Sequence, residues 1–386
     1  MSGPDYPIEI IEEGKVKLAV PRMSDYLRPD GVYEPAHAPV FYNPKAKFNR
    51  DVAVAMGAAL KERLGRLEVL EPLAGSGVRS LRYAVEAGAD KVLAVDADPK
   101  AVELIKYNIR LNKLEDKVKV LLAEANAVLH SRELRGGYYD LVDVDPFGSP
   151  MPFADGAIRA ARRRGLVAFT ATDTAPLTGA RPQSALRKYG ASVRRTPFSK
   201  EVAIRVLIAA LVRVAAVREV ALKPEAAFFK DYYVRAHLTV ERGARRVEEA
   251  LSQLGYLFYR PDYSVEVVRG YPLPERVPEG TALGPLWLGP LTGPLAKRAA
   301  ELVGGEVKRF LEHLIEEDSV GVPYSYKVER VASILKVNMP SPKLVVEELR
   351  AAGYKALLAH YDHTSVKTDA PAEEVFKVVK KLSPRP

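Results

Sequence analysis

Glu71-Pro72-Leu73-Ala74-Gly75-Ser76-Gly77-Val78-Arg79 joins a β-rich run, Leu67 to Glu71, to a stretch of helical periodicity. Glycines in such a turn let the backbone approach a ligand where a side chain would collide. A dinucleotide fingerprint would place a third glycine at position 80 for close helix packing. Ser80 stands there instead, which disfavours a nicotinamide dehydrogenase. Outward from this turn, β-rich runs recur at Lys91 to Val95, Val118 to Leu122, Asp140 to Val144 and Leu166 to Ala171, with helical stretches between them. The stretch after Asp98 shows the signals: Asp98 suits an N-cap, Pro99 the first helical position, and Ala101, Val102, Ile105 and Ile109 recur at helical spacing. This alternation predicts an α/β fold with a doubly wound, mainly parallel sheet.

Farther along, the pattern predicts a helix from about Glu201 to Val217, a strand at Tyr233 to Val240, a helix from Ala244 to Leu254 and a strand at Tyr256 to Tyr259, which complete the sheet. Pro272, Pro274, Pro278, Pro285, Pro290 and Pro294 then fall within 23 residues, where average usage gives about one. A domain boundary is placed there, with residues 1–289 forming the sheet domain and residues 290–386 a smaller C-terminal α+β domain. The latter is read as two helices, a third starting near Tyr326, a fourth opened by Ser341-Pro342 and closed by Gly353, and a strand at Tyr354 to His360.

A chain of 386 residues, 47% hydrophobic and 28% charged, can bury a sizeable core, and disorder is disfavoured. The longest apolar stretch in its most hydrophobic region, Val206 to Val212, falls far short of the roughly 20 residues a bilayer span needs. The opening MSGPDYPIEIIEEGKVK lacks the charge and apolar pattern of a secretion signal, so a cytoplasmic location is expected. Zero cysteines exclude disulfides, thiolate metal ligands and cysteine nucleophiles. The six histidines show no ligand spacing, and His360 with His363 reads as a surface loop rather than a metal site. Net charge is +9, and between Arg159 and Arg213 twelve basic residues meet only two acidic ones, Asp173 and Glu201. The window, which includes Arg162, Arg163 and Arg164, is read as a phosphate-binding stripe rather than a solvated helix face.

Ligands of open parallel sheets sit at the carboxyl ends of the strands, so the residues there are the site candidates. Asp96 ends the second strand and can accept hydrogen bonds from both ribose hydroxyls of an adenosyl group. After the third strand, Glu124 can take an adenine amino group and the Ala125 N–H a ring nitrogen; the alternative for Glu124 is a surface glutamate. After the fourth stands Asp143-Val144-Asp145-Pro146-Phe147-Gly148-Ser149-Pro150. An arylamine lone pair is delocalised into its ring and attacks poorly, so a carboxylate that accepts its N–H helps draw the nitrogen towards tetrahedral geometry. Asp145 suits that role, and Phe147 offers a face on which a flipped base can stack, worth about 1–3 kcal/mol.

The Asp145-Pro146-Phe147-Gly148 motif resembles the acid-Pro-Pro-aromatic motif of methyltransferases that act on exocyclic amino groups. With it stand Val40-Phe41-Tyr42-Asn43-Pro44, Phe48-Asn49-Arg50-Asp51, Thr170 to Gly179, Tyr189-Gly190, Glu201 with Arg205, Gly284-Pro285-Leu286-Trp287-Leu288-Gly289 and Lys367-Thr368-Asp369-Ala370-Pro371. Together they resemble the tRNA guanine-26 N2-dimethyltransferase family over nearly the whole chain. The resemblance implies a Rossmann-like class I methyltransferase domain, S-adenosyl-L-methionine as methyl donor, and tRNA as the partner. It also implies Arg50 and Arg79 as cofactor-binding arginines beside Gly75, Gly77, Asp96, Glu124 and Ala125. Asp145 becomes the catalytic acid, and Phe41 and Phe147 the aromatic pair around the target base. Two departures stand out: position 124 is Glu where the family often has Asp, and the cysteine cluster that binds zinc in some members is missing, so no metal is expected. Asp173 either caps a turn or shapes the base pocket. The alternatives are an amino-methyltransferase acting on another RNA or on DNA, a nicotinamide dehydrogenase, and a catalytically silent RNA-binding protein of the same fold.

Overall fold

The computed structural model describes residues 4–273, 275 and 277–383, so Pro274 of the proline cluster lies outside the described residues. The chain forms two compact units: Met1–Pro146 with Pro152–Phe169 and Leu295–Arg309, and Phe147–Met151 with Thr170–Pro294 and Phe310–Pro386.

The first unit opens with an antiparallel hairpin, β1 (Ile8–Glu13) and β2 (Val16–Pro21), which the sequence reading missed, followed by helix α1 (Lys47–Leu64). Then come β3 (Glu68–Glu71), α2 (Val78–Val85), β4 (Lys91–Asp96), α3 (Pro99–Leu111) and β5 (Val118–Leu122). Two short helices, α4 (Ala125–His130) and α5 (Arg132–Arg135), lead to β6 (Tyr139–Val144), α6 (Met151–Ala160) and β7 (Ala161–Ala171). The strands lie in the order β5-β4-β3-β6-β7 and all pair in parallel. The order reverses between β3 and β6. Adjacent crossovers leave to opposite sides there, opening a crevice at the strands' carboxyl ends. Val69, Leu70, Ala94, Val95, Val142 and Val144 are buried, as expected of strands covered on both faces. The Asp98 side chain caps α3 by accepting the Lys100 N–H at 2.9 Å.

The second unit holds α7 (Thr174–Leu177), α8 (Pro182–Tyr189), α9 (Ser199–Ala216) and the antiparallel pair β8 (Val220–Lys230) and β9 (Tyr233–Arg242). Helix α10 (Ala244–Leu251) ends three residues before the expected Leu254, because Leu254 is fully buried as the first residue of β10 (Leu254–Tyr259). The expectation that Tyr256 to Tyr259 completes the main sheet is corrected. β10 lies in a separate antiparallel sheet between β11 (Val265–Arg269) and β12 (Thr281–Trp287). The proline-rich stretch therefore contains a mostly buried strand, β12, with Pro285 inside it.

Helix α11 (Pro294–Leu302) belongs to the first unit, and α12 (Gly305–Asp318) begins there. The C-terminal α+β assembly has the sheet order β13-β15-β14, from β13 (Tyr326–Lys327), β14 (Ala356–Ala359) and β15 (Asp362–Thr368). Helices α13 (Val328–Leu335), α14 (Pro342–Ala351) and α15 (Ala372–Leu382) accompany it.

A buried charge network ties α9 to these later segments. Lys367 donates to Glu201 at 2.6 Å, and Arg205 pairs with Glu201 while donating to the carbonyls of Trp287 and Gly289 at 2.8 and 3.2 Å. Burial alone would raise the Glu201 pKa, but Lys367 and Arg205 bring it well below the ordinary carboxylate value. Three of the family-like motifs thus meet in one structural clamp. His360, expected in a surface loop, has a buried side chain: Nδ1 lies 2.8 Å from Glu317 and Nε2 accepts the Phe229 N–H at 3.2 Å. Among the described residues, no helix is long and apolar enough to cross a membrane.

Candidate active site

Within the first unit, the turn between β3 and α2 needs glycine twice. Gly75 and Gly77 take φ of +54° and +76°, the left-handed region. A Cβ on Gly77 would come within 2.9 Å of Ile105, and one on Gly75 within 3.3 Å of the Phe41 carbonyl oxygen. The turn is thus a tight backbone cradle that admits no side chain: Gly77 is buried against Ile105, and Gly75 is half-buried beneath the Phe41 carbonyl. Asp96 braces this cradle: its carboxylate accepts the Gly75 N–H at 2.8 Å and the Asp98 N–H at 3.0 Å. Two backbone donors fix the orientation of the carboxylate. Glu124 is exposed and caps α4 through Ala127 N–H at 2.8 Å, using Oε2. Ala125, the first residue of α4, has an N–H that the helix itself cannot satisfy.

Beside the cradle, α2 faces three carboxylates. Asp143 and Asp145 are two apart along the extended chain, so they share a face, and Arg79 and Tyr83 are four apart on the helix and do likewise. Pro146 keeps Asp145 extended as β6 ends. Arg79 is buried and bonds to Asp145 through Nη2, lies 3.4 Å from Asp143 and 3.5 Å from Glu71, and donates to Asn49 Oδ1 at 3.1 Å. Its guanidinium is thus committed to internal acceptors, with Asp145 foremost. Asp145 remains 27% exposed at its side chain, and Arg79 engages its Oδ2.

Glu71 is the least compensated member. Burial raises its pKa, Arg79 and the Ser80 hydroxyl that donates to it pull it down, and Asp143 and Asp145 push it up again, to about 8. An Arg79 contact suggests an ionised Glu71, but one guanidinium cannot neutralise three acids, and Asp145 holds it more closely. The folded pKa exceeds the ordinary value of 4.5, so the stability carried by protonated Glu71 is fully present below that value and lost as pH rises through about 8. Glu71→Gln, permanently neutral, should therefore gain on the wild type as pH rises from about 5 to about 8, at no more than about 1.4 kcal/mol per pH unit. Denaturant unfolding across that range measures it. A difference that does not change with pH would show Glu71 to be ionised throughout.

The two arginines that the resemblance assigns to the cofactor are both paired internally. Arg50 donates to Glu13 through Nε at 2.7 Å and Nη2 at 2.5 Å, and to the Asn43 carbonyl at 3.1 Å. Burial alone would raise the Glu13 pKa, but Arg50, Tyr42 and Arg82 lower it. Glu71, Asn49, Ser80 and Glu13 were not read as site residues. The two-residue spacing of the aspartates and the four-residue spacing of Arg79 and Tyr83 were the available signals.

Arg162 is not arranged as a phosphate ligand. It donates to Asp140 at 2.9 Å and Glu68 at 2.6 Å. β7 runs parallel to β6, so Arg162, Arg163 and Arg164 lie at the strand-start edge, roughly 16 Å along the strand from Asp145 at about 3.3 Å per residue. Arg163 and Arg164 are exposed at that edge.

In the second unit, Phe147 is 73% exposed, and Phe41 in the first is 36% exposed. The loop carrying Phe147 is pinned rather than loose. Gly148, at φ +76°, donates its N–H to Thr172 Oγ1 at 2.7 Å and accepts the Thr172 N–H at 2.9 Å. Asp173 accepts from Lys188 at 2.8 Å and from the Tyr189 hydroxyl at 2.6 Å, so it shapes this loop by holding α8. An aromatic ring exposed on a fixed loop is a stacking platform. Among the described residues, no group of three or more His, Cys, Asp or Glu side chains could hold a metal ion.

The strand order, the glycine cradle and the acids at the strand ends define a Rossmann-like methyltransferase. A family model described as N2,N2-dimethylguanosine tRNA methyltransferase matches residues 14–380. The tRNA (guanine(26)-N(2))-dimethyltransferase of Methanopyrus kandleri is 40% identical over 386 residues, covering 97% of this chain and 97% of that protein. That of Aeropyrum pernix is 38% identical over 397 residues, again covering 97% of each. The structure of Trm1 from Pyrococcus horikoshii with S-adenosyl-L-methionine superposes with a TM-score of 0.82 at 31% identity, covering 98% of this chain and 100% of that one. The chain belongs to the N2,N2-dimethylguanosine tRNA methyltransferase family.

Proposed function

We propose that this protein transfers methyl groups from S-adenosyl-L-methionine to the exocyclic N2 of guanine 26 in tRNA, twice, giving N2,N2-dimethylguanosine. The observation that carries the reading is Asp145, presented at the end of β6 on the Arg79 guanidinium in a chain that matches the family model over residues 14–380. The residues fit the donor: Gly75 and Gly77 form the cradle, Asp96 takes the ribose, and Glu124 and Ala125 take the adenine. Arg50 and Arg79, the arginines that the resemblance assigns to the donor, complete its site. When bound, the donor supplies an electrophilic methyl on sulfonium sulfur.

Asp145 accepts an N2–H and stabilises positive charge as the nitrogen becomes tetrahedral. Phe147 offers the base a stacking face, with Phe41 the second aromatic that the resemblance assigns to it, and fixing the amine in line with the methyl makes the displacement effectively unimolecular. Guanine N2 bears two hydrogens and, after one transfer, still bears one, so the same carboxylate serves both rounds. The reaction takes place in the cytoplasm on tRNA and needs no metal.

Unmodified tRNA incubated with the protein and labelled S-adenosyl-L-methionine should yield labelled N2-methylguanosine first and N2,N2-dimethylguanosine later, read by nucleoside mass spectrometry. Label at another base or atom would refute the reading.

A further inference from the structure

The sequence from Thr174 to Lys200 holds six basic residues, Arg181, Arg187, Lys188, Arg194, Arg195 and Lys200, and no acidic one. Arg187, Arg194 and Arg195 are exposed, and among the described residues none of the three meets a carboxylate. Other arginines of the basic window are differently placed: Arg162 pairs with Asp140 and Glu68, Arg205 is buried against Glu201, and Arg213 bonds to the Tyr189 carbonyl. A basic residue near the end of α8 complements the helix dipole, which would account for Arg187. It does not account for Arg194 and Arg195, which stand beyond the helix.

This strip is joined within its own unit to the loop that carries Phe147. Tyr189, the last residue of α8, donates to Asp173, and so does Lys188. Thr172, next to Asp173, exchanges two hydrogen bonds with Gly148. Gly179, before α8, lies so close to the Arg194 backbone that a Cβ would come within 2.3 Å of it, so the Arg194–Arg195 segment is fixed against the same assembly. Cationic groups held rigidly to a base-stacking ring suit the phosphates that flank an everted nucleotide. Extruding a base requires that the backbone on either side be gripped.

We propose that Arg187, Arg194 and Arg195 form the phosphate-contacting surface that grips the tRNA backbone beside the target guanine, in place of Arg162, Arg163 and Arg164. This rests on the reading of the protein as a tRNA guanine methyltransferase.

The test is the salt dependence of tRNA affinity between about 50 and about 200 mM salt, where each phosphate contact contributes about 0.7 to 0.9 to the log–log slope. The triple variant Arg187→Gln, Arg194→Gln, Arg195→Gln should lose about two to three from that slope. The corresponding triple lysine variant should keep it, and Arg163→Gln with Arg164→Gln should leave it near wild type. Unchanged S-adenosyl-L-methionine affinity shows that each variant is folded, and single substitutions, each expected to remove one contact's share, give the same answer if the triple variant is not. A wild-type slope in the triple glutamine variant overturns the proposal, as does an equal loss in the Arg163 and Arg164 pair. Methylation of guanine N2 by the wild type is measured alongside. If it occurs while the slope is unmoved, this inference alone fails; if the wild type never methylates N2, the functional reading fails.

Discussion

Asp145→Asn should slow single-turnover methylation of saturating tRNA by about 10²–10⁴, the usual range for a lost general base or electrostatic stabiliser. The substitution keeps the side chain's shape and its oxygen acceptor, so Arg79 can still bond to it at the end of β6. What disappears is the negative charge beside a nitrogen that turns cationic. Cofactor affinity should survive, because Asp96 and Glu124 stand at the ends of other strands and keep their own backbone donors. Both methyl transfers should slow, since one carboxylate serves both. A near-wild-type rate would make the Asp-Pro-Phe-Gly segment a structural turn. Loss of cofactor binding would move Asp145 to the other half of the site.

Local chemistry explains what the sequence made legible. Parallel strands covered on both faces read as short apolar runs, and all five were found within one or two residues except the start of β7. That strand begins at Ala161 rather than Leu166 because its first turn of chain, polar and basic, is recruited by Asp140 and Glu68 across the sheet. Charge counting saw Arg162 as available. Only the register of β7 on β6 shows that its partners are already present. The Arg50 partner was hidden for the same reason, since Glu13 lies 37 residues away on a hairpin with no strong turn signature. Strand β12 was hidden by prolines, which usually mark loops, and the Pro285 position inside a sheet is set by neighbours no local pattern encodes. The acid cluster was half legible: Asp143 and Asp145 share a face by strand periodicity, yet Glu71 joins them only because β3 and β6 are neighbours.

That cluster makes Arg79 the residue whose removal should affect stability most. Arg79→Met keeps length and apolar stem but leaves Glu71, Asp143 and Asp145 facing one another, the first two almost wholly buried. Removing one partner from a buried ion pair costs about 3–5 kcal/mol, because the remaining charge is neither solvated nor paired. The sign of the pH dependence follows from the charges. Without Arg79, Glu71 loses the contact that pulls its pKa down and rises further above its unfolded value, so the variant's deficit is greatest at high pH and shrinks as falling pH protonates Glu71. Unfolding in denaturant at about pH 5 and about pH 8 should show the deficit larger at the higher pH; an equal deficit at both would assign the loss to packing. Kinetics then separate two roles. If Arg79 chiefly positions Asp145, folded variant at saturating S-adenosyl-L-methionine still methylates slowly, and Arg79→Lys, which keeps the charge without the planar fork, recovers part of the rate. If Arg79 instead binds the cofactor directly, affinity falls and the rate at saturation returns to wild type, and the bond to Asp145 is then incidental to catalysis.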